Sequence, residues 1–280
     1  MSGYAYYNGV FDKRECVSVP LSDRSIFFGD AIYDAAVGSR GRIFQLEEHV
    51  CRLLGNAAKM GFSGVPDYGR LTSILTSVAE RADLPFFFLY FQLSRDLEDR
   101  RHSSFGISRS NLLVTVDEAP VPDPNKRLRL ILRADERYGY CDVKTVNLLP
   151  NVIYSTEADS YGADEAVLHR DGTVTECAHS SIFIIRDGTL ITHPLDRTVL
   201  PGITRATVLS LCRNAGIRCE ERSFSTEELF FADEVLVTST GKLCVGVDSI
   251  DGVPVGGKCP DLSAKIRLLT YDYFKNFVQE

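Results

Sequence analysis

The sequence has no long hydrophobic run and no cluster of basic residues. None of its apolar stretches approaches the ~20 residues that a membrane-spanning helix requires. Its 31 lysines and arginines are outnumbered by 38 aspartates and glutamates, which gives a net charge of −7 over 280 residues. Nucleic acids and anionic membranes attract clustered positive charge. We therefore expect neither a nucleic acid nor a membrane as a partner.

The cysteines also form no recognisable pattern. All eight are scattered singly and none belongs to a Cys-x-x-Cys pair, which excludes a zinc ribbon and a thioredoxin-like redox motif. We expect no metal site. The segment 1–16 has neither a basic start nor a continuous apolar core, so a secretion signal is not expected. Reduced thiols in the cytoplasm are the expected state of the cysteines.

What the sequence does contain is typical of a globular protein with two cores. Hydrophobic residues make up 44% and charged residues 25%, as in soluble globular proteins, and this length suffices for two domains. Apolar residues at helical spacing predict helices in 45–62 and 67–84, whereas β-prone runs predict strands in 86–94 and 111–118. The stretch 119–126 has three prolines within five positions and can continue neither a helix nor a central strand.

We therefore predict an N-terminal α/β domain over 1–118, a linker over 119–124 and a larger C-terminal domain over 125–280. In the C-terminal part, Asp-Gly pairs at 171–172 and 187–188 stand between β-prone runs and predict hairpins. Further predicted features are a helix after Pro201-Gly202 that stops near Gly216, a capping box of Ser225 and Glu228, a strand over 234–240, and a closing helix with Leu262, Ile266, Leu269 and Tyr273 on one face.

Lys144 is the first residue that looks unlike plain scaffold. It lies in a strand-like run between Val143 and Val146, a setting in which lysine is disfavoured. Burial favours the neutral, nucleophilic amine of a lysine, which suits a Schiff-base nucleophile. Two interpretations stay open from the residues alone: such a nucleophile, or an outward-facing lysine on a half-exposed strand.

The second candidate region combines a carboxylate with an anion site. Glu176 ends a predicted hairpin strand, where its carboxylate either pairs with a ring nitrogen or begins a turn. Gly202, Ile203 and Thr204 fall at a predicted helix start, where backbone N–H groups and the helix dipole favour a phosphate. The hydroxyls of 238–240 either donate to an anion or end a strand. Each of these signals is weak by itself.

Taken together and in this order, the stretches resemble the fold-type IV (class IV) pyridoxal-phosphate enzymes. That class includes D-amino-acid and branched-chain aminotransferases and aminodeoxychorismate lyase. The resemblance covers nearly the whole chain and is carried by DRSIFFGDAIYD (23–34), EEHVCRL, DVKTVNLL, EAVLHRDGTVTE, LPGITR and VTST. It implies a two-domain α/β fold with pyridoxal 5′-phosphate (PLP) at the domain interface. It also implies a transaminase that works as a homodimer with shared active sites.

The resemblance implies a role for each matching residue. Lys144 is similar to the lysine that bonds to PLP and later moves a proton between the substrate Cα and the cofactor. Glu176 is similar to the carboxylate that keeps the pyridine nitrogen protonated, so that the ring accepts electrons. The phosphate site implied by the resemblance comprises Arg52, Ile203, Thr204 and Thr240.

The charged stretch RDLEDRRHSSF (95–105) is by itself either a solvated loop or an anion site. In the D-amino-acid aminotransferases that this chain resembles, an Arg-x-His motif after the corresponding strand reaches the partner subunit's active site. There it binds the substrate α-carboxylate together with a tyrosine. Arg100 and His102 match that motif, and Tyr33 matches the tyrosine. Nearby Glu98 and Asp99 are placed to pair with Arg100 when the site is empty.

This match implies transfer of the amino group from a D-amino acid such as D-alanine to a 2-oxo acid such as 2-oxoglutarate, by a ping-pong mechanism. The sequence departs from the family at 177–181, which reads Cys-Ala-His-Ser-Ser where D-amino-acid aminotransferases have glycine, serines and asparagine, and at Ala31, where glycine is common. His179 either lies near the cofactor or faces the surface. Two other functions stay open: a branched-chain-type L-amino-acid aminotransferase or aminodeoxychorismate lyase, and a cofactor-binding protein without turnover.

Overall fold

The computed structural model describes residues 3–96 and 100–279. Its strands are β1 (Tyr4–Tyr7), β2 (Val10–Lys13), β3 (Ala31–Ser39), β4 (Arg42–Ile43), β5 (Phe87–Arg95), β6 (Ser110–Glu118), β7 (Arg127–Ala134), β8 (Glu165–Arg170), β9 (Thr173–Cys177), β10 (Ser181–Arg186), β11 (Thr189–Thr192), β12 (Arg218–Glu221), β13 (Glu234–Ser239), β14 (Leu243–Ile250) and β15 (Val253–Pro254). Its helices are α1 (Arg24–Phe28), α2 (Leu46–Lys59), α3 (Tyr68–Ala82), α4 (Leu149–Ser160), α5 (Ile203–Asn214), α6 (Thr226–Phe231) and α7 (Pro260–Gln279).

The chain divides into two compact units. The first unit consists of the residues up to Val121 together with Val143–Asn147. The second unit consists of Pro122–Asp142 and the residues from Leu148 onward. The short segment that carries Lys144 therefore packs with the first unit, although its neighbours in sequence on both sides pack with the second.

The first unit is an antiparallel sheet with the strand order β2-β1-β6-β5-β3-β4. Helices α2 and α3 pack their apolar faces on it, because their buried residues recur at the three- and four-residue spacing of one helical face. Asp67 caps α3 by accepting a bond from the N–H of Arg70. The two helices and the two strands predicted for this region are confirmed.

The second unit is a mixed sheet with the strand order β12-β11-β10-β13-β14-β7-β8-β9, to which β15 adds at β14. The pairs β14–β7, β7–β8 and β11–β12 are parallel. Asp171-Gly172 and Asp187-Gly188 have positive φ at both positions and connect antiparallel strands, which confirms the two predicted hairpins. The capping box of Ser225 and Glu228 is confirmed as well.

Helix α5 ends as expected, and Gly216 follows it with a φ of 73°. The predicted face of α7 is partly wrong. Ile266 is fully buried, but Tyr273 is 42% exposed and the buried positions are Ser263, Ile266, Thr270 and Phe274. The buried face combines Ile266 and Phe274 with the small polar residues Ser263 and Thr270, while Leu262 and Leu269 pack partly buried against the core. Phe274 is buried rather than Tyr273, because a tyrosine hydroxyl is better placed in water than in an apolar core.

The strand-like run around Lys144 is not a strand. It is an isolated bridge in which Thr145 pairs with Ile32 of β3. The run is too short to build a ladder: two of its backbone bonds join it to the first residues of β3, and the N–H of Thr145 donates to the carbonyl of Val143 within the run. None of the helices in the described part of the chain is long and apolar enough to cross a membrane.

Candidate active site

The backbone around Lys144 is held by the beginning of β3. The N–H of Tyr33 donates to the carbonyl of Lys144 over 2.9 Å, and the N–H of Val146 donates to the carbonyl of Ala31. Val143 is buried and belongs to the core of the first unit. With both flanks fixed, the half-buried side chain of Lys144 extends over the ring of Tyr33, and its Nζ lies 4.4 Å from the ring centre. The structure thus brings two of the predicted site residues together.

Tyr33 is itself positioned by stacking. Its ring lies 5.1 Å from that of Tyr90 on the neighbouring strand β5. The hydroxyl of Tyr90 donates to Oε1 of Gln92 over 2.6 Å, and burial, together with the nearby Tyr33, raises the pKa of Tyr90. The stacked rings of Tyr33 and Tyr90 thus form an aromatic wall beside the amine of Lys144.

Arg52 is held by a buried carboxylate that sequence reasoning did not identify. Asp34, fully buried on β3, accepts from Nε and Nη2 of Arg52, both over 2.8 Å, and lies 2.7 Å from Nδ1 of His49. His49 and Arg52 stand three residues apart on α2 and therefore share a face. Burial alone would raise the pKa of Asp34, but the Arg52 charge and the bonds from His49 and Arg52 outweigh it and hold that pKa well below its usual range.

The signal for Asp34 was present in the sequence. A carboxylate in the otherwise apolar or small run of β3 (Ala31–Ser39) has to be paired if the strand is buried. The partners were not readable, because they lie on a different element.

In the second unit, Glu176 is buried and fully hydrogen-bonded through both oxygens. Its Oε1 accepts from Nη1 of Arg137 over 2.5 Å and its Oε2 accepts from the N–H of Leu200 over 3.0 Å. Arg137 in turn donates from Nε and Nη2 to the two carboxylate oxygens of the buried Asp135, each over 2.9 Å. Burial raises the pKa of Glu176, and the Arg137 charge opposes that effect. Arg137 and Asp135 therefore hold the candidate residue Glu176 in place, and the sequence analysis did not identify them.

The start of α5 is shaped for an anion. Its N-cap is Gly202, and no side chain caps the helix within the described residues, so the N–H groups of the first turn, which includes Ile203 and Thr204, stay available. A Cβ at Gly202 would come within 2.7 Å of Oγ of Ser181. The glycine therefore allows a close approach of α5 to β10.

Ser181 also links α5 to the end of β13. It is the strand partner of Thr238, whose Oγ1 is buried and has no hydrogen-bond partner in the described part of the chain. Two residues further, Thr240 lies half-buried in the turn that follows β13. The second unit thus brings the first turn of α5 and the hydroxyl-bearing end of β13 to the same place, beside Ser181.

The residues after Glu176 form a turn that is tied to a buried carboxylate. Glu165, at the start of β8, accepts from the N–H of His179 over 2.8 Å, from Oγ of Ser180 over 2.9 Å and from Nζ of Lys242 over 2.9 Å. The ring of His179 is half exposed, and its Nε2 lies 3.0 Å from Nζ of Lys242. Two of the residues at 177–181 that depart from the family pattern, His179 and Ser180, are therefore hydrogen-bonded to Glu165.

Arg100 and His102 lie together against α1. The Arg100 guanidinium is 5.5 Å from the centre of the Phe28 ring, and the His102 ring is 5.3 Å from the same ring. Both side chains belong to exposed residues. Glu98 and Asp99, which were expected to pair with Arg100, lie outside the described residues.

Comparison with known proteins identifies the family of the chain. Residues 31–250 match the family described as amino-transferase class IV. The chain is 34% identical over 258 residues to a D-alanine aminotransferase of Bacillus licheniformis, covering 91% of this chain and 90% of that protein. A D-alanine aminotransferase of Listeria monocytogenes is 33% identical over 261 residues, with the same coverage.

Solved structures show the same fold. The branched-chain aminotransferase of Thermoproteus uzoniensis with norvaline superposes with a TM-score of 0.85 at 22% identity, covering 100% of this chain and 98% of that one. The branched-chain amino acid aminotransferase of Escherichia coli gives a TM-score of 0.85 at 22% identity, covering 99% and 95%. The chain belongs to the class IV aminotransferases. It is a PLP-dependent transaminase of fold type IV, as the sequence predicted.

The residues present fit this cofactor. A phosphate requires free N–H groups and hydroxyls, and the uncapped first turn of α5 and the unpartnered hydroxyl of Thr238 supply them. A pyridine nitrogen requires a buried acid, and Glu176 with its Arg137 partner is one.

Proposed function

We propose that this transaminase moves the amino group of a D-amino acid such as D-alanine to a 2-oxo acid such as 2-oxoglutarate. The observation that carries the proposal is the pair Arg100 and His102, held side by side against Phe28. Relatives at 30–34% identity over most of the chain that are D-alanine aminotransferases support it. A small amino acid has little apolar surface, so a charged clamp on its carboxylate has to provide much of its binding and orientation.

The proposed roles follow from the chemistry of each side chain. PLP, when bound, supplies an electron sink for the negative charge that develops at the substrate Cα. Lys144 takes the proton from that Cα on its Nζ, holds it there, and donates it again as the amino group is transferred. Its fixed backbone and the Tyr33 ring beneath Nζ limit where the amine can reach.

Glu176 is proposed to hold the proton of the pyridine nitrogen. Burial raises the pKa of Glu176, but the Arg137 charge opposes that effect and favours the ionised carboxylate. A negative carboxylate beside the ring nitrogen would favour the protonated form of that nitrogen. Arg52, Ile203, Thr204 and Thr240 are proposed to bind the phosphate. Asp34 holds the Arg52 guanidinium in one orientation.

Tyr33, Arg100 and His102 are proposed to bind the α-carboxylate. In the described chain, Tyr33 stacks on Tyr90, whereas Arg100 and His102 pack against Phe28 at the end of α1. We propose that the clamp acts on the site of a second subunit, so that the working enzyme is a homodimer with shared active sites. A cytoplasmic location is proposed from the eight unpaired thiols alone.

The test is a half-reaction without an amino acceptor. The purified PLP-loaded protein is mixed separately with D-alanine, D-glutamate, L-leucine, L-glutamate and aminodeoxychorismate, and the cofactor absorbance is followed. Loss of the band with the D-amino acids, and transfer to 2-oxoglutarate in a coupled assay, is the expected result. Reaction with L-leucine alone would indicate a branched-chain-type aminotransferase. Release of pyruvate from aminodeoxychorismate would indicate a lyase. Reaction with none of the substrates would indicate a cofactor-binding protein without turnover.

A further inference from the structure

Arg24 is buried at the start of the short helix α1, and all three nitrogen atoms of its guanidinium donate hydrogen bonds. Only 4% of it is exposed. Its Nε donates to Oδ2 of Asp30 over 2.7 Å, its Nη1 donates to the carbonyl of Arg101 over 2.6 Å, and its Nη2 donates to the carbonyl of His102 over 3.0 Å. A buried charge needs this full set of partners, and two of the three belong to the backbone of the proposed clamp.

Asp30 fixes Arg24 from the other side. It also accepts from Nε of Arg95 over 3.0 Å, and Arg95 is the last residue of β5, where the clamp stretch begins. Arg95 in turn donates to the carbonyls of Met60 and Gly61. Ion pairs therefore connect the end of β5 through Asp30 to Arg24, and charge-assisted hydrogen bonds connect Arg24 to the carbonyls of Arg101 and His102.

The same arginine arranges the aromatic surface on which the clamp lies. Its guanidinium carbon is 4.6 Å from the Phe28 ring centre, and that ring meets both Arg100 and His102. Arg24 and His102 also line one cavity of about 330 Å³ with Phe28, Met60 and Phe62. Because Arg24 binds backbone carbonyls, it fixes this stretch without occupying the side chains that would meet a carboxylate.

We propose that Arg24 is a positioning residue for substrate recognition: by holding the carbonyls of Arg101 and His102, it sets the orientation in which Arg100 and His102 receive the α-carboxylate. This inference rests on the proposed function of Arg100 and His102. It predicts that loss of Arg24 weakens recognition of the carboxylate and leaves the reaction of the amine itself intact.

The experiment compares the PLP-loaded Arg24→Met variant, in which an unbranched apolar side chain removes every side-chain donor, with the PLP-loaded wild type. Each reacts with D-alanine and with D-alaninamide, which lacks the carboxylate charge. We expect the ratio of kcat/KM for D-alanine over D-alaninamide to fall about ten- to a hundredfold, mainly through KM, because displaced binding groups cost factors of this size. Arg24→Lys should restore part of the ratio.

The control variant is Arg109→Met. Arg109 directly precedes β6 and pairs with Asp96 over 2.9 Å, but 80% of its side chain is exposed, so the ratio should stay as in the wild type. If Arg24→Met folds poorly, Asp30→Asn removes the charge that orients Arg24 and should move the ratio in the same direction. An unchanged ratio in both, or an equal loss with D-alanine and D-alaninamide, overturns the proposal.

A second readout does not depend on activity. Trypsin cleavage after Arg100 or Arg101, followed by mass spectrometry at a temperature where all variants are folded, should be faster in Arg24→Met than in the wild type or Arg109→Met. Equal cleavage rates count against the anchoring role. If the wild type reacts with no D-amino acid, the proposed function fails, while the cleavage rates still decide whether Arg24 holds this stretch.

Discussion

At the scale of single residues, the molecule manages several buried charges by giving each more than one partner. Asp34 has His49 and Arg52, and Glu165 has Lys242 together with the donors of the turn at 179–180. Such clusters contribute little net stability when complete, but removing one member leaves an uncompensated buried charge. They are therefore the positions where conservative substitutions should have large effects.

The first prediction concerns Lys242. Glu165 is fully buried and Lys242 is its cation, so Lys242→Met should lower the free energy of unfolding by about 3 kcal/mol. Urea denaturation at neutral pH measures this. Lys126→Met is the control, because Lys126 pairs with Asp164 over 3.6 Å at the surface and should cost less than about 1 kcal/mol. The double variant Lys242→Met with Glu165→Gln should recover stability; equal losses in the two lysine variants would contradict the argument.

The second prediction concerns pH. The pKa of Asp34 is lowered in the folded protein, so its contribution is present above its unfolded pKa of about 4 and is lost as the pH falls through the lowered folded value. The difference in unfolding free energy between the wild type and Asp34→Asn should be largest near neutral pH and shrink towards roughly pH 2. Denaturation curves at several pH values test this, with Asp12→Asn, at an exposed position, as the control. A difference that stays constant would show that the charge of Asp34 is not what matters.

Candidate site residues that stand in a recognisable stretch of sequence could be predicted. Residues whose importance depends on the side chains they bind could not. Lys144 and Glu176 were picked out because their surroundings in the chain matched a family motif. Arg137 and Asp34 were missed, since the atoms they bind lie on other elements: Arg137 reaches Glu176 across 39 positions of sequence. The assigned roles of the site residues themselves remain predictions.

At the scale of elements, the close contact between α5 and β10 depends on one missing side chain. The third prediction is that Gly202→Ala destabilises the cofactor-free protein by about 1–3 kcal/mol and weakens PLP binding, because the new Cβ would press on Oγ of Ser181. Thermal unfolding and equilibrium dialysis measure the two effects. Ser181→Ala in the same chain should relieve the stability loss.

Gly55→Ala is the matched control. Gly55 lies inside α2 and nothing is within 4 Å of an added Cβ, so alanine should raise helix stability by about 0.5–1 kcal/mol. Destabilisation of similar size in both glycine variants would mean that crowding at Ser181 is not the cause.

The elements differ in how far the sequence could predict them. The hairpins at Asp171-Gly172 and Asp187-Gly188 were correct because their turn residues dictate the local backbone. The predicted face of α7 was partly wrong, because Ser263 and Thr270 occupy buried positions that a pattern of apolar residues does not mark. The segment around Lys144 was taken for a strand because its composition fits one, and only tertiary pairing with β3 shows that it is a single bridge.

At the scale of the whole molecule, the fourth prediction tests the shared site. Arg100→Ala and Lys144→Ala should each be inactive, but a mixture that exchanges subunits should regain about one quarter of the wild-type activity per site, since half of the dimers are hybrid and each hybrid has one intact site. Activity after mixing and refolding measures this.

The control for that experiment is a mixture of Lys144→Ala with Glu176→Ala. We propose that each subunit contributes both residues to the same site, so hybrids of this pair would contain no intact site and should stay inactive. Absence of recovery in the first mixture, with subunit exchange shown by tagged chains, would indicate that the clamp acts within its own subunit.

The way the chain places Val143–Asn147 has a consequence for how such a protein can change by recombination. A single crossover at the proline-rich stretch near Val121 would join the first strands of one parent to the lysine segment of another. That segment docks on β3 through Tyr33 and Ala31. Lys144 is thus inherited with one half of the gene, while the part of β3 that binds its segment is inherited with the other. Chimaeras made at this point should work only when both parents form the same contacts between the two.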